Sequence, residues 1–272
     1  MQINFGKYDV PQTLQTLIEL EKELGDSEHF YDGLHFYLSL TDFRYFNTPS
    51  DVIVFGYIGA DGIHYGFLTD YGSVSDLEEA PIVCVCPMDF DQPTRIIAKN
   101  LREFLRVNCT DDPLFYNYFA NEDRYVAFKK EQEVEHASYP PSEQQLSNQA
   151  RIKNFLEENI QMPIIENPYD YIQTVRLARQ KMVRINTQDG LGVITPLLAH
   201  ETHMPFEIHK DIDLDLAALN AYFSTAPKPS QYAIYRDIQL HYVLSDEPQL
   251  EKIVLESMLN IGLIDEAKRL SN

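Results

Sequence analysis

The sequence predicts an α+β fold: an antiparallel sheet flanked by helices, with a C-terminal α+β extension or second small domain. Three observations carry this expectation. Apolar residues at helical spacing open and close the chain, β-rich runs separated by turn residues fill its first half, and no repeat at solenoid spacing is present. With 272 residues and 44% hydrophobic content, the chain can bury a sizeable core as one large domain or two small ones.

The first helix is "VPQTLQTLIELEKELGDS". Pro11 suits its opening turn, Leu14, Leu17, Ile18 and Leu24 form an apolar stripe, and Gly25 stops it. The aromatic-dense "EHFYDGLHFYLSLTDFRYF" reads as core or core-flanking. "DVIVFGYIG" and "IHYGFLTD" then predict two strands around Ala60-Asp61-Gly62, whose Asp-Gly pair marks a hairpin turn. A third strand spans Ile82 to Cys86, bounded by Pro81 and Pro87. Cys84 and Cys86 fall on one face of that strand, and a chain with 3 cysteines has no disulfide framework; they read as small buried hydrophobes. "QPTRIIAKNLREFLRV" predicts an amphipathic helix carrying Ile96, Ile97, Leu101, Phe104 and Leu105 on one side.

Residues 1–130 therefore read as one α+β domain. The polar stretch "KKEQEVEHASYPPSEQQLSNQ", with Pro140-Pro141 inside it, predicts a connector over 131–144. Residues 145–272 read as a second α+β region. It would hold a helix near "QLSNQARIKNFLEENI" and a hairpin made by "DYIQTVRLARQKMVRI" and "GLGVITPLL", joined through residues 186–190. A helix over "DLDLAALNAYFST" and a strong closing helix from Pro248 would follow.

The net charge of -20 is shared: residues 1–130 carry 10 basic and 21 acidic groups, and residues 131–272 carry 12 and 21. This argues against a nucleic-acid ligand and against an anionic membrane surface, both of which need a basic patch. It favours a basic protein partner. With no run of 18 apolar residues and no apolar leader in "MQINFGKYDVPQ", the expectation is a cytoplasmic protein.

Nucleophile-elbow, Walker-type and dinucleotide-binding motifs are absent, so no cofactor is expected. "HETHMPFEIH" gathers His200, Glu201, His203 and His209, but its first two histidines are spaced i, i+3 rather than the i, i+4 of a zinc-binding helix, and Pro205 breaks any helix there. The acids of the first half lack the spacing of a calcium loop, so no metal is expected. Asp51 and Asp61 suit turn chemistry, and His64 reads as a strand residue. No residue is assigned a catalytic role; a carboxylate-dependent or metal-dependent hydrolase is the alternative reading.

From Phe55 to Pro93 the chain carries seven carboxylates and no Lys or Arg, with Tyr57, Tyr65, Phe67, Tyr71 and Phe90 among them. Acids interleaved with aromatic rings on a small sheet suggest a surface that receives a basic protein. The predicted contact set is Asp61, Asp70, Asp76, Glu78, Glu79, Asp89 and Asp91, with Tyr57, Tyr65 and Tyr71 as anchors.

The order of "LIELEKELG", "DVIVFGYIGADGIHYGFLTD", an acidic turn, a strand and "IIAKNLREFL" resembles the SUKH superfamily, over residues of about 10–107. That group includes bacterial toxin-immunity proteins and yeast Smi/Knr-type cell-wall regulators. The most specific match is "GADGIHYGFLTD", similar to the family's central hairpin ending in an Asp, here Asp70. The chain departs from the family in lacking Trp and an Asn-Gly-Gly turn. The resemblance implies an α+β fold without a catalytic centre, whose role is to bind and occlude a partner protein such as a toxin domain.

Overall fold

A computed structural model of the chain describes residues 2–41, 43–209 and 213–271. Helices α1 (Gln2–Phe5), α2 (Gln12–Leu24) and α3 (Ser27–Leu34) lead into strands β1 (Tyr37–Leu38), β2 (Val52–Tyr57), β3 (His64–Leu68), β4 (Ile82–Val85) and β5 (Thr94–Ala98). Helices α4 (Leu101–Asp111), α5 (Pro113–Tyr116), α6 (Glu122–Ser138), α7 (Glu143–Asn159), α8 (Pro168–Met182), α9 (Leu216–Thr225), α10 (Lys228–His241), α11 (Pro248–Asn260) and α12 (Ile264–Leu270) complete the chain. The architecture is α+β: a five-stranded antiparallel sheet in the order β1-β2-β3-β4-β5, packed with helices, and a C-terminal helical region.

The expected first helix is α2. It buries Leu14, Leu17, Leu20 and Leu24, and Gly25 closes it with its N–H on the Glu21 carbonyl at 3.1 Å. Pro11 offers no side-chain cap, and the start of the helix is held from outside instead. The Glu78 carboxylate accepts from the Thr13 N–H at 2.6 Å and from the Thr13 hydroxyl at 2.9 Å. An anion on unpaired N–H groups at a helix start stabilises by about 1–2 kcal/mol. Glu78→Ala is therefore expected to lower the urea-unfolding free energy by about that amount. Glu79→Ala, which removes only an exposed pair with Arg102, should stay within about 1 kcal/mol of wild type. Equal losses in the two variants would refute the capping role.

The predicted Asp-Gly hairpin joins β2 to β3, with positive φ at Asp61 (51°) and Gly62 (68°). One face of the sheet packs Phe55, Tyr65 and Phe67 against Phe30, Phe36, Phe104 and Phe115, a core of interlocked rings between the sheet and helices α2, α3, α4 and α7. On the opposite face Val52, Val54, Leu68, Val83, Val85 and Ile96 meet Val175 of α8, Leu191 and Phe43. Cys84 and Cys86 share the first face, buried, with sulfurs 3.8 Å apart.

Four expectations are corrected. "QPTRIIAKNLREFLRV" is not one helix: Thr94–Ala98 is the fifth strand, and α4 starts only after Asn100, whose side chain accepts from the Glu103 N–H at 3.0 Å. The 131–144 segment is helical to Ser138 and again from Glu143. There Ser142 and Gln145 form a reciprocal capping box, and Ile152, Leu156, Ile160 and Ile172 join the same core as the N-terminal helices. The predicted second hairpin is mostly α8, with one isolated bridge between Ile185 and Val193. The described C-terminal part is thus helical rather than α+β. The closing helix divides into α11 and α12 at Ile261-Gly262-Leu263.

Candidate partner interface

In a meander, successive connections alternate between the two ends of the sheet. Cross-strand partners Tyr57, His64, Val85 and Thr94 define one end, so the β2–β3 turn (58–63) and the β4–β5 loop (86–93) both project there. The long β3–β4 connection (69–81) lies at the other end, roughly 13 Å away along a five-residue strand. This divides the predicted acidic surface. Asp61, Asp89 and Asp91 are brought to the turn end; Asp70, Asp76, Glu78 and Glu79 are not.

At the far end every one of those acids has an internal partner. Asp76 accepts from the Glu78 N–H at 2.9 Å, Glu78 holds Thr13, and Glu79 pairs with Arg102 at 2.9 Å. Asp70 is buried beneath a bidentate pair with Arg179 of α8, with N–O distances of 2.6 and 2.7 Å. Arg236 of α10 lies 3.6 Å from the same carboxylate and pairs with Asp51 at 2.6 Å and Asp189 at 3.3 Å. Three carboxylates thus face two guanidiniums, and all five residues are buried. Burial pushes the Asp51 carboxyl up to about 6 against the pull of Arg236, with the neighbouring carboxylates adding to the rise. Asp70 and Tyr71 both hold positive φ (48° and 53°), a conformation L-residues adopt at a cost. Arg179 clamps the first, while the Tyr71 ring is stacked on Tyr232 at 4.6 Å and covered by Arg236.

Three predicted contacts are therefore corrected. Asp70 is consumed by the buried network, Tyr71 is buried in that same network, and Tyr65 lies in the ring core with no exposed surface. None can reach a partner without unfolding its surroundings. Tyr57 is half-buried and sits in a row of rings running across the sheet: Tyr31 on Tyr37 at 4.6 Å, Tyr37 by Tyr57 at 5.3 Å, Tyr57 on Phe43 at 4.8 Å, and Phe43 by Tyr45 at 5.8 Å.

The turn end gathers what sequence reasoning missed. Tyr45, Phe46, Met88 and Phe90 are 40%, 43%, 64% and 65% exposed, on two loops that meet at this end. Internal bonds hold the loops together. Asn47 donates to the Pro87 carbonyl at 3.0 Å, and the Tyr45 ring presses on Gly62 so closely that a Cβ there would lie 2.4 Å from it. Beneath them His64 is fully buried. Its Nδ1–H donates to the Gly62 carbonyl at 2.7 Å, and its Nε2 accepts from the Thr48 hydroxyl at 3.1 Å. Burial holds this imidazole down at about 4, so it is neutral. Asp89 pairs with Arg95 and accepts from the Gln92 N–H at 3.2 Å, which leaves Asp61 and Asp91 as exposed acids beside the apolar tips. The missed signal was legible in "PMDFDQP", where two large apolar residues alternate with acids in a loop bounded by prolines.

Elsewhere, His203 bonds Ser230 at 3.0 Å and His209 lies 3.3 Å from Glu207. Among the described residues, no group of His, Cys, Asp or Glu side chains forms a set that could hold a metal ion. No helix among them is long and apolar enough to cross a membrane. No family model matches the chain, and no curated protein matches it either.

Proposed function

We propose that the protein is a non-enzymatic protein-binding module that occludes a basic partner, and that it docks through the turn end of its sheet. The observation that carries this reading is the grouping of Tyr45, Phe46, Met88 and Phe90, exposed on loops fixed to one another, with Asp61 and Asp91 beside them. Large apolar and aromatic anchors inside a charged rim are the composition of an interface centre, where a few side chains carry most of the affinity. A net charge of -20 speeds encounter with a cationic surface and makes it salt-sensitive. The SUKH resemblance adds the class of role: immunity or regulation, with a secreted toxin domain as the kind of partner. Occlusion requires no turnover, only complementarity.

The test is affinity capture with the immobilised full chain, followed by titration of the purified partner. A basic partner is expected, released by salt, with affinity reduced at least tenfold by Phe90→Ser and by Met88→Ser. Asp76→Asn at the opposite end should leave binding unchanged. A partner that is acidic, or whose affinity ignores both salt and the loop variants, overturns the reading.

A further inference from the structure

We propose that a cleft between β5 and α8 binds one phosphate-sized oxyanion, held by the guanidinium of Arg176 beside the Thr94 hydroxyl. This stands on the cleft alone and is independent of the partner reading. The cleft has a volume of about 140 Å³ and is lined by Gln92, Thr94, Arg95, Arg176, Arg179 and Gly190 among others, with no acidic residue in its wall. In a chain where 42 acidic groups face 22 basic ones, three arginines around a space free of carboxylates call for a physical reason.

Two of the three are already neutralised. Arg179 spends its charge on Asp70 and donates to the Leu191 and Gly192 carbonyls, and Arg95 pairs with Asp89. Among the described residues no carboxylate pairs with Arg176. Its Nε makes a long 3.4 Å bond to the Ile96 carbonyl, and burial with the charge of Arg95 nearby disfavours its cationic form. A half-buried guanidinium without a carboxylate partner is relieved by an anion beside it. Thr94 supplies an independent sign: it is 1% exposed, lines the cleft, and its hydroxyl has no partner within the protein. A buried hydroxyl without a partner is rare enough to require an explanation. Gly190 keeps one wall thin, since its φ of 78° excludes most side chains and a Cβ there would lie 3.1 Å from Gln92 Nε2. The volume suits a phosphate or sulfate group and falls well short of the roughly 300 Å³ at which drug-sized ligands begin to fit.

The same chemistry arrives as free inorganic phosphate or as the phosphate of a small monoester. Calorimetric titration of the full chain with inorganic phosphate, and separately with phosphoserine, distinguishes the two at ionic strength matched with chloride. Saturable 1:1 binding of phosphate alone assigns the free ion, and binding of both assigns the ester group. Arg176→Gln is expected to weaken binding at least tenfold and Arg176→Lys less, while Arg102→Gln, on another face, leaves it unchanged. Should Arg176→Gln fold poorly, the wild-type thermal midpoint decides the same question, since phosphate must raise it above matched chloride. No phosphate-specific binding or stabilisation, or full affinity in Arg176→Gln, overturns the proposal.

Discussion

Replacing Arg236 with methionine is expected to remove about 3–5 kcal/mol of folding stability, a large share of what a domain of this size possesses. The side chain is 1% exposed and is the common counter-ion of Asp51, Asp70 and Asp189. Without it, Asp51 and Asp189 lose the guanidinium that faces them both, and Asp70 keeps Arg179. The loss therefore comes less from missing attraction than from carboxylates stranded away from water. One Asp51 oxygen already lacks a hydrogen-bond partner, so the site has no slack. Asp51→Asn combined with Arg236→Met must then be more stable than Arg236→Met alone, because it removes a stranded charge. Urea unfolding of the two single variants and the double variant measures this coupling directly. Additive losses would show that the network is a set of independent contacts.

The second large effect is a pH slope. Burial holds His64 at about 4 in the folded chain, against about 6.5 when unfolded. Between those values the unfolded chain binds more protons, so this contribution is intact above pH 6.5 and is lost as pH falls toward 4. Asp51 and Asp237 behave oppositely. Both are pushed up to about 6, chiefly by burial, against about 3.9 unfolded. Their contribution is fully present below about pH 4 and is lost as pH rises through 6. From pH 7 to 5 the histidine costs about 2 kcal/mol and the two acids together contribute about 2–3 kcal/mol. His64→Gln should therefore gain about 2 kcal/mol over wild type across that interval, whatever its absolute stability, since effects common to both proteins cancel. Parallel pH profiles for the two proteins would sink the assignment of His64 as a buried neutral base.

The parts of the fold legible in sequence are those with a local signal. Helix α2 announced itself by an apolar stripe and a terminal glycine, and the β2–β3 hairpin by Asp61-Gly62. Strand β5 was hidden because Ile96 and Ile97, followed by Leu101, Phe104 and Leu105, mimic a helical stripe; Asn100, three residues before Glu103, was the cap that marked the true start of α4. Helix α10 went unseen because it buries residues of every type around its circumference, from Ser230 and Gln231 to Tyr235 and Arg236, leaving no amphipathic period to read. The candidate site failed for a different reason. Asp70 looks like a surface acid until Arg179, 109 residues later, is folded onto it, and Asp51 meets Arg236 across 185 residues. Pairings at such separations leave no trace in local spacing. Which loops share an end of the sheet likewise follows only from strand order.

That strand order also governs what kind of recognition is open to the molecule. Along β5, α8 sets the Tyr171 hydroxyl on the Lys99 N–H at 3.1 Å and Arg176 on the Ile96 carbonyl, while β1 at the opposite margin is 2 residues long. One margin is roofed and the other is too short to template a foreign strand, so a bound peptide gains little by extending the sheet through main-chain pairing. If the protein docks as proposed, selectivity resides in the identity of loop side chains, which can be exchanged without disturbing the backbone that carries them.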